Sequence, residues 1–148
     1  MSAKNSVCAG LTAAVGFMFG LHGFDAWAAT ESVIYSFQGQ PDGWYPTAGL
    51  VDVNGMLYGT TARGGSSGCN GLGCGTIFSV DPSTGAETVV YSFCSRRKCA
   101  DGASPNASLT DVNGVLYGTT RSGGTQTNCS DGGPGGVLGC GIVYALSA

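Results

Sequence analysis

Short apolar runs bounded by Gly, Pro, Asn or Asp follow one another along the chain beyond residue 30. They are rich in Val, Ile, Tyr, Phe and Thr, which favour strands. No segment beyond residue 28 shows the 3.6-residue apolar period of an amphipathic helix. The pattern predicts eight strands: Ser32–Phe37, Gly49–Val53, Met56–Thr61, Gly75–Val80, Glu87–Phe93, Ser108–Val112, Val115–Thr120 and Gly141–Leu146.

These strands fall into two sets of four because the chain repeats itself. Leu50–Thr61 returns as Leu109–Thr120 with ten of twelve positions identical. Asn-Gly joins the second and third strands of each copy, which is the strongest short hairpin signal. We therefore predict an all-β protein of two tandem four-stranded antiparallel meanders, with repeat 1 over residues 29–86 and repeat 2 over residues 87–148.

A tandem four-stranded meander is the unit of a β-propeller blade. Two blades cannot close a ring, since propellers use about four to eight. The chain is therefore expected to be a fragment of a longer gene, a subunit of a ring built by several chains, or a small pair of sheets. For the isolated chain, we expect the first or the third of these outcomes. Gly59 and Gly118, inside the third strand of each copy, predict either the close approach of another backbone or a bulge.

The N-terminus has the features of a signal peptide. Lys4 precedes the apolar stretch Val7–Leu21, and Ala26-Trp27-Ala28 supplies small residues for cleavage. We predict a signal peptide over residues 1–28, export to the periplasm or outside the cell, and no transmembrane segment after cleavage. A retained anchor is the alternative, although the stretch is shorter than the roughly 20 apolar residues of a spanning helix.

The first copy carries the pattern YSF…DG…P…GL…D…NG-LYGTT…GG…G-G-I, and the second copy carries it with Ser108 in place of the Gly of GL and Val143 in place of the final Ile. It resembles that of the secreted bacterial GloVer (Gloeobacter–Verrucomicrobia) tandem-repeat proteins. The resemblance implies an exported, propeller-like array, often followed by a C-terminal sorting anchor of variable type, and implies no established catalytic activity. This chain departs from the pattern by carrying two copies, whereas members usually carry several more.

Six cysteines follow the predicted cleavage point, which favours disulfides in an exported chain. Cys69 and Cys74 correspond in the repeat to Cys129 and Cys140, although the second loop is longer. Cys94 and Cys99 arrive together in an insertion that the first copy lacks. These observations predict three structural pairs: Cys69–Cys74, Cys94–Cys99 and Cys129–Cys140. Zinc is the rival interpretation, since two pairs have the C-x₄-C spacing, but no histidine follows residue 28.

The residues offer little reactive chemistry. The only histidine, His22, lies in the predicted signal peptide, so no Ser-His-Asp or Cys-His arrangement is expected beyond it. Asp42 and Asp52 have counterparts in Asp101 and Asp111, and a group needed in both copies is expected to shape turns. We predict no catalytic residue, no metal site and no cofactor. The formal charge of −3 leaves no basic surface for nucleic acid.

Two surfaces are candidates for binding. Trp44-Tyr45, which only the first copy carries, could stack on a sugar or a peptide, and Arg96-Arg97-Lys98 could contact an acidic polymer. We therefore predict a non-enzymatic scaffold or binding module with a carbohydrate or cell-surface partner. The alternative is a larger or self-associated propeller that binds a small ligand or carries hydrolase or lyase activity in a central funnel. Polar residues that are unique to one copy and converge on the axis of the ring would favour this alternative, and none is evident from the sequence.

Overall fold

The computed structural model describes residues 29–126, 128, 129, 133 and 136–148. These residues contain ten strands and one short 3-10 turn. The predicted signal peptide lies outside these residues, and Ser32–Ala148 form one unit. The strands are β1 (Gly43–Trp44), β2 (Val51–Val53), β3 (Met56–Thr61), β4 (Arg63–Gly64), β5 (Thr76–Val80), β6 (Glu87–Ser92), β7 (Ala103–Pro105), β8 (Thr110–Val112), β9 (Val115–Ser122) and β10 (Val143–Ser147).

The first sheet is antiparallel, with strand order β2-β3-β5-β6. The hairpin between β2 and β3 turns at Asn54-Gly55, where both residues have positive φ, of 53° and 85°. Asp52 Oδ1 accepts a hydrogen bond of 2.9 Å from the Gly55 amide and holds this turn. The Asn-Gly signal therefore folds as its chemistry predicts.

The second sheet repeats this geometry. β9 pairs with β8 on one side and with β10 on the other, and its C-terminal part also pairs with β7. The β8–β9 turn at Asn113-Gly114 has φ of 54° and 79°. Asp111 Oδ1 accepts a hydrogen bond of 2.9 Å from the Gly114 amide. The duplicated sequence thus gives duplicated backbone conformations, and the turn role predicted for Asp52 and Asp111 is confirmed.

The all-β prediction is confirmed, and Met56–Thr61 is a strand with the predicted bounds. The prediction that the first strand of each repeat belongs to the sheet of that same repeat is wrong. Ser32–Phe37, all of which the structure describes, form no strand. β6 is the first strand of the second repeat, yet it pairs with β5, the fourth strand of the first repeat. A first strand therefore joins the sheet of the preceding repeat, and Ser32–Phe37 have no preceding sheet within the described chain.

Two short strand pairs were absent from the prediction. β1 pairs with β4, so that Trp44 lies opposite Arg63, and β7 pairs with β9, so that Ala103 lies opposite Ser122. These two pairings occupy equivalent places in the two repeats. Pro and Gly flank both segments, and this composition hides such short strands from a pattern of apolar alternation.

The core lies between the two sheets. One face of the first sheet contributes Val53 and Ile77 and, beyond β6, Phe93, while the second sheet contributes Leu109 and Leu116. Ser104 of β7 donates its amide to the Cys74 carbonyl at 2.7 Å and ties the two repeats together. Burial of these apolar side chains contributes roughly 1.5–3 kcal/mol each to stability.

The same aromatic contact stands at equivalent positions of both repeats. Phe93 packs edge-on against Tyr144 with ring centroids 5.1 Å apart, and Phe37 packs on Phe78 at 4.9 Å. Added Cβ atoms on Gly59 and Gly118 would clash with the rings of Phe78 and Tyr144 respectively. The predicted reasons for these glycines, a neighbouring backbone or a bulge, are therefore wrong. An aromatic ring on the adjacent strand occupies the space.

The three predicted disulfides are confirmed: Cys69–Cys74, Cys94–Cys99 and Cys129–Cys140. Each closes a loop within one repeat, and each is expected to stabilise the fold by on the order of 2 kcal/mol through the entropy of the unfolded chain. No helix in the described ranges is both long and apolar enough to cross a bilayer.

Candidate binding groove between the two repeats

An open groove of about 420 Å³ lies where β1 and β4 of the first repeat approach β7 and β9 of the second. Two of its lining residues are joined through the backbone, since Ala62 donates its amide to the Tyr45 carbonyl at 3.1 Å. Both repeats contribute side chains to the walls. The lining residues are Tyr45, Thr47, Ala62, Arg63, Ser104, Asn106 and Arg121.

The groove is formed by equivalent positions of the two repeats that carry different residues. Tyr45 corresponds to Ser104, and both have a positive φ, of 59° and 56°. Thr47 corresponds in the same way to Asn106, and Ala62 to Arg121. The backbone is thus kept while the side chains differ. Asn106 and Arg121, which the first repeat lacks at the equivalent positions, both line this groove.

One residue of the aromatic pair singled out from the sequence, Tyr45, forms one wall, and Trp44 lies behind it. The rings of Trp44 and Tyr45 stack with centroids 5.0 Å apart and an interplanar angle of 19°. Trp44 Nε1 donates a hydrogen bond of 3.1 Å to the Leu72 carbonyl, which fixes the inner ring. The outer ring, that of Tyr45, is exposed. This wall offers a flat, rigid aromatic surface to a ligand.

The groove also holds polar groups without protein partners. Arg63 Nη1 and Ser104 Oγ are both buried, and neither has a hydrogen-bond partner among the described residues. A buried donor left unpaired costs about 1–3 kcal/mol. Arg121 adds a second guanidinium, and the lining contains no carboxylate. The groove is therefore electropositive in a chain of net charge −3, and the exposed Arg121 offers donors to a ligand rich in acceptor oxygens.

The cationic run is separate from this groove. Arg96, Arg97 and Lys98 are exposed on the loop that the Cys94–Cys99 disulfide closes. Arg96 lines a cleft of about 240 Å³ beside Tyr144, and Lys98 lines a further cleft beside Leu138. None of the three residues lines the groove beside Tyr45. The structure thus places the two candidate surfaces apart.

Asp101 and Asp42 hold backbone turns, as predicted. Asp101 accepts hydrogen bonds from the Tyr91 hydroxyl at 2.8 Å, from the Ser95 amide at 2.9 Å and from the Arg96 amide at 3.1 Å. Burial raises the pKa of Asp101, but the hydrogen bonds led by those of Ser95 and Tyr91 outweigh it, so the pKa lies below its usual value.

Asp42 occupies the equivalent place in the first repeat. Its Oδ2 accepts the Tyr35 hydroxyl at 2.8 Å and the Gln38 amide at 2.7 Å. The bond to Asp42 is the largest of the effects that raise the pKa of Tyr35, to about 12. Both carboxylates are therefore engaged by donors of their own repeat.

Three sulfur atoms form a cluster next to the first disulfide. The Sγ atoms of Cys69, Cys74 and Cys94 lie within 4.8 Å of one another. Three thiolates at such a separation could share a metal ion in a reduced chain. In the oxidised chain, Cys69 and Cys74 are bonded to each other and Cys94 to Cys99.

Comparison with known proteins gives one match. A family model described as the Gloeobacter/Verrucomicrobia repeat matches residues 9–144 of the chain, a range that includes most of both repeats. No curated protein and no solved structure matches the chain.

Proposed function

The chain belongs to the Gloeobacter/Verrucomicrobia repeat family, and we propose that it acts as an exported, non-enzymatic binding module for acidic carbohydrate. The family match agrees with the resemblance noted from the sequence. The observation that carries the proposal is the groove between the repeats, which combines an exposed aromatic ring with two guanidinium groups.

Each wall of the groove suits one part of an acidic sugar. The apolar face of a pyranose ring packs on a flat aromatic ring such as that of Tyr45. Arg121, which is exposed, presents a planar fork of donors that matches carboxylate or sulfate oxygens, and Arg63 adds a second positive charge. Asn106, which is exposed, supplies a further hydrogen-bonding group for ring hydroxyls. Because the groove is open, it admits a sugar that is part of a longer chain.

The disulfides support export, and the residues that line the groove support the absence of catalysis. The three disulfides are consistent with an oxidising compartment outside the cytoplasm. The residues that line the groove include no carboxylate and no histidine. Hydrolysis or lyase chemistry of a glycosidic bond relies on such groups in most enzymes, so the groove favours binding.

The test is a calorimetric titration with tetragalacturonate, a uronic-acid tetrasaccharide, and with a neutral galactose tetrasaccharide of equal length. We expect binding of the acidic sugar alone. Tyr45→Ala and Arg121→Ala should each weaken it at least about tenfold, because they remove the stacking ring and one carboxylate fork. Arg97→Ala removes an equal charge from the separate loop and serves as the matched control. Arg121→Ala binding as tightly as the unaltered chain contradicts the proposal, and equal affinity for an oligoglutamate peptide assigns the groove to acidic peptides instead.

A second candidate is that the two sheets are blades of a larger propeller-type ring with a funnel at its axis. One observation favours it: the first strand of the second repeat completes the sheet of the first repeat, as neighbouring blades would share strands. In such a ring, the groove would recur wherever two repeats meet. The ligand class proposed above does not depend on the ring.

A further inference from the structure

The first strand of a repeat makes two kinds of contact. β6 adds to the edge of β5, with Tyr91 opposite Ile77 and Thr88 opposite Ser79. Directly after β6, Phe93 packs on Tyr144 in the sheet of its own repeat. The strand therefore links two sheets, as an edge strand of one and as a packing element on the face of the next.

Ser32–Phe37 correspond to β6 and its continuation, and they make only the second kind of contact. Phe37 packs on Phe78, as Phe93 packs on Tyr144. The Tyr35 hydroxyl binds Asp42, as that of Tyr91 binds Asp101. Within the described residues, however, this segment pairs with no strand. It carries the sequence of an edge strand and lacks a sheet edge.

β10 supplies the matching edge. It corresponds to β5, and within the described part of the chain β9 is its only partner strand. The Ile142 carbonyl accepts a hydrogen bond from the Thr120 amide of β9, and the Ala148 amide donates one to the Gly114 carbonyl in the β8–β9 turn. Because successive residues of a strand direct their backbone groups to opposite sides, those of Val143 and Ala145 point to the open side. β10 thus presents the groups that β5 uses to bind β6.

The exposed face of the second sheet is equivalent to the face of the first sheet that forms the core. Ile77 is 1% exposed, and its counterpart Val143 is 77% exposed. Val53 is 7% exposed, and its counterpart Val112 is 49% exposed. Tyr117 belongs to the same exposed face. This face has the residues of a sheet-to-sheet interface and no second sheet against it in the described chain.

The face of the first sheet that points away from the core is complementary to this exposed face of the second sheet. Leu109 is 6% exposed in the core, and its counterpart Leu50 is 54% exposed. Beside it lies an apolar groove of about 320 Å³, to which Phe37, Leu57 and Phe78 also contribute. The corresponding cleft beside the second sheet is lined by Phe93 and Tyr144 of the second repeat and by Ile77 of the first. Val143 of another chain is the side chain equivalent to Ile77.

We propose that a second copy of this chain docks head to tail, its Ser32–Phe37 segment adding as an antiparallel strand to the open edge of β10. The register follows from β5 and β6: Tyr35 of one copy lies opposite Val143 of the other, and Ser32 lies opposite Ala145. The same docking buries the exposed face around Val143 against the apolar groove beside Leu50. Both halves of the interface are present on one chain, which is why a second copy is the occupant.

This interface is heterologous, so it uses a different surface on each partner and can be tested by complementation. Val143→Asp disables one surface, and Leu50→Asp disables the other. Leu72→Asp adds the same charge at an exposed leucine of the Cys69–Cys74 loop and is the matched control. The full chain, exported by its host so that the disulfides form, is studied by size-exclusion chromatography with light scattering.

We expect the unaltered chain and Leu72→Asp to associate alike into species larger than the monomer, whether a closed ring or an open series of copies. Val143→Asp and Leu50→Asp should each be monomeric, with dissociation constants raised at least about tenfold by the buried charge. An equimolar mixture of these two variants should form a dimer, because one intact surface of each kind remains. A monomeric unaltered chain at about 0.1 mM, or a mixture that stays monomeric, overturns the proposal.

A photo-crosslinking residue at Ala145 tests the register in case a variant fails to fold. Crosslinks that map to residues 31–35 of a second chain support the added strand, and crosslinks elsewhere on that chain or to other proteins contradict it. Val143 and Leu50 lie outside the carbohydrate groove. Loss of assembly in these variants with retained tetragalacturonate binding therefore distinguishes this proposal from the proposed function.

Discussion

Asp101 illustrates how one side chain organises a turn of the repeat. It receives hydrogen bonds from a phenol, from a serine and from two backbone amides. Its counterpart Asp42 does the same in the first repeat with fewer donors. The recurrence of an Asp-Gly pair in both copies let the sequence predict a structural carboxylate. The tyrosine partner, ten residues away in the chain, was not predictable from turn chemistry.

Asp101→Asn should lower the free energy of unfolding by about 2 kcal/mol, because the amide places donors where the backbone also donates. Asp52→Asn, which replaces an exposed acceptor of one amide, should change it by less than about 0.5 kcal/mol and is the control. Urea unfolding at neutral pH measures both values. Equal losses in the two variants contradict the role assigned to Asp101.

Asp101→Asn should also change how the free energy of unfolding depends on pH in the acid range. The folded pKa of Asp101 is lowered, so its contribution is present above the ordinary aspartate range and is lost as the pH falls through the folded pKa. Between about pH 5 and pH 2, the unaltered chain should therefore lose more stability than Asp101→Asn does. Parallel acid limbs in urea unfolding would contradict this assignment.

Tyr144 carries a buried hydroxyl that has no partner among the described residues. Burial raises the pKa of Tyr144 to about 12. Phe78 occupies the equivalent position in the first repeat without a hydroxyl. We expect Tyr144→Phe to be neutral or to stabilise the fold by up to about 1 kcal/mol, since removing an unpaired polar group relieves its desolvation. Thermal unfolding is the measurement, Phe78→Tyr is the reverse control, and a large loss in Tyr144→Phe would contradict the unpaired hydroxyl.

At the scale of elements, the sequence predicted strands well where both neighbours lie in the same repeat. Met56–Thr61 is confirmed with its bounds, and both Asn-Gly hairpins form. It failed where a strand depends on another repeat. Glu87–Ser92 and Ser32–Phe37 have similar patterns, but within the described residues only the former has a preceding sheet to join. Periodicity reports which face of a strand is apolar and carries no information on its hydrogen-bond partner.

Gly118 tests the packing of an aromatic ring against a strand. Gly118→Ala should destabilise the fold by about 1–3 kcal/mol, because the added methyl group clashes with the Tyr144 ring. In a Tyr144→Leu background the same change should cost clearly less, and a double-mutant cycle by chemical unfolding measures the coupling. An unchanged cost would show that strain in the backbone of β9, and not the ring, requires glycine.

The Cys94–Cys99 bond has no counterpart in the first repeat, so the fold is expected to tolerate its loss. The double variant Cys94→Ser/Cys99→Ser should keep the fold and lose on the order of 2 kcal/mol of stability. Cys69→Ser/Cys74→Ser provides the matched comparison with a loop of the same sequence separation, 5 residues. A variant that no longer folds would show that the inserted pair is essential to the second repeat.

At the scale of the whole molecule, the proposed binding groove lies where the duplication is imperfect. The groove combines Tyr45 and Arg63 of one repeat with Asn106 and Arg121 of the other. The sequence identified the aromatic half of this site because Trp44-Tyr45 is unusual in one copy. It missed the rest because alignment of the copies does not show which divergent positions meet in space. A comparison restricted to divergent residues beside conserved turns would have pointed to them.

The central claim is that the two copies fold into equivalent sheets joined by a first strand that belongs to the preceding repeat. Cross-strand nuclear Overhauser effects in solution test it most directly. We predict contacts between Ser79 and Thr88 across β5 and β6, together with the equivalent pairs Leu57–Val80 and Leu116–Leu146. Contacts that instead place Glu87–Ser92 beside Val143–Ser147, within the sheet of their own repeat, would contradict it.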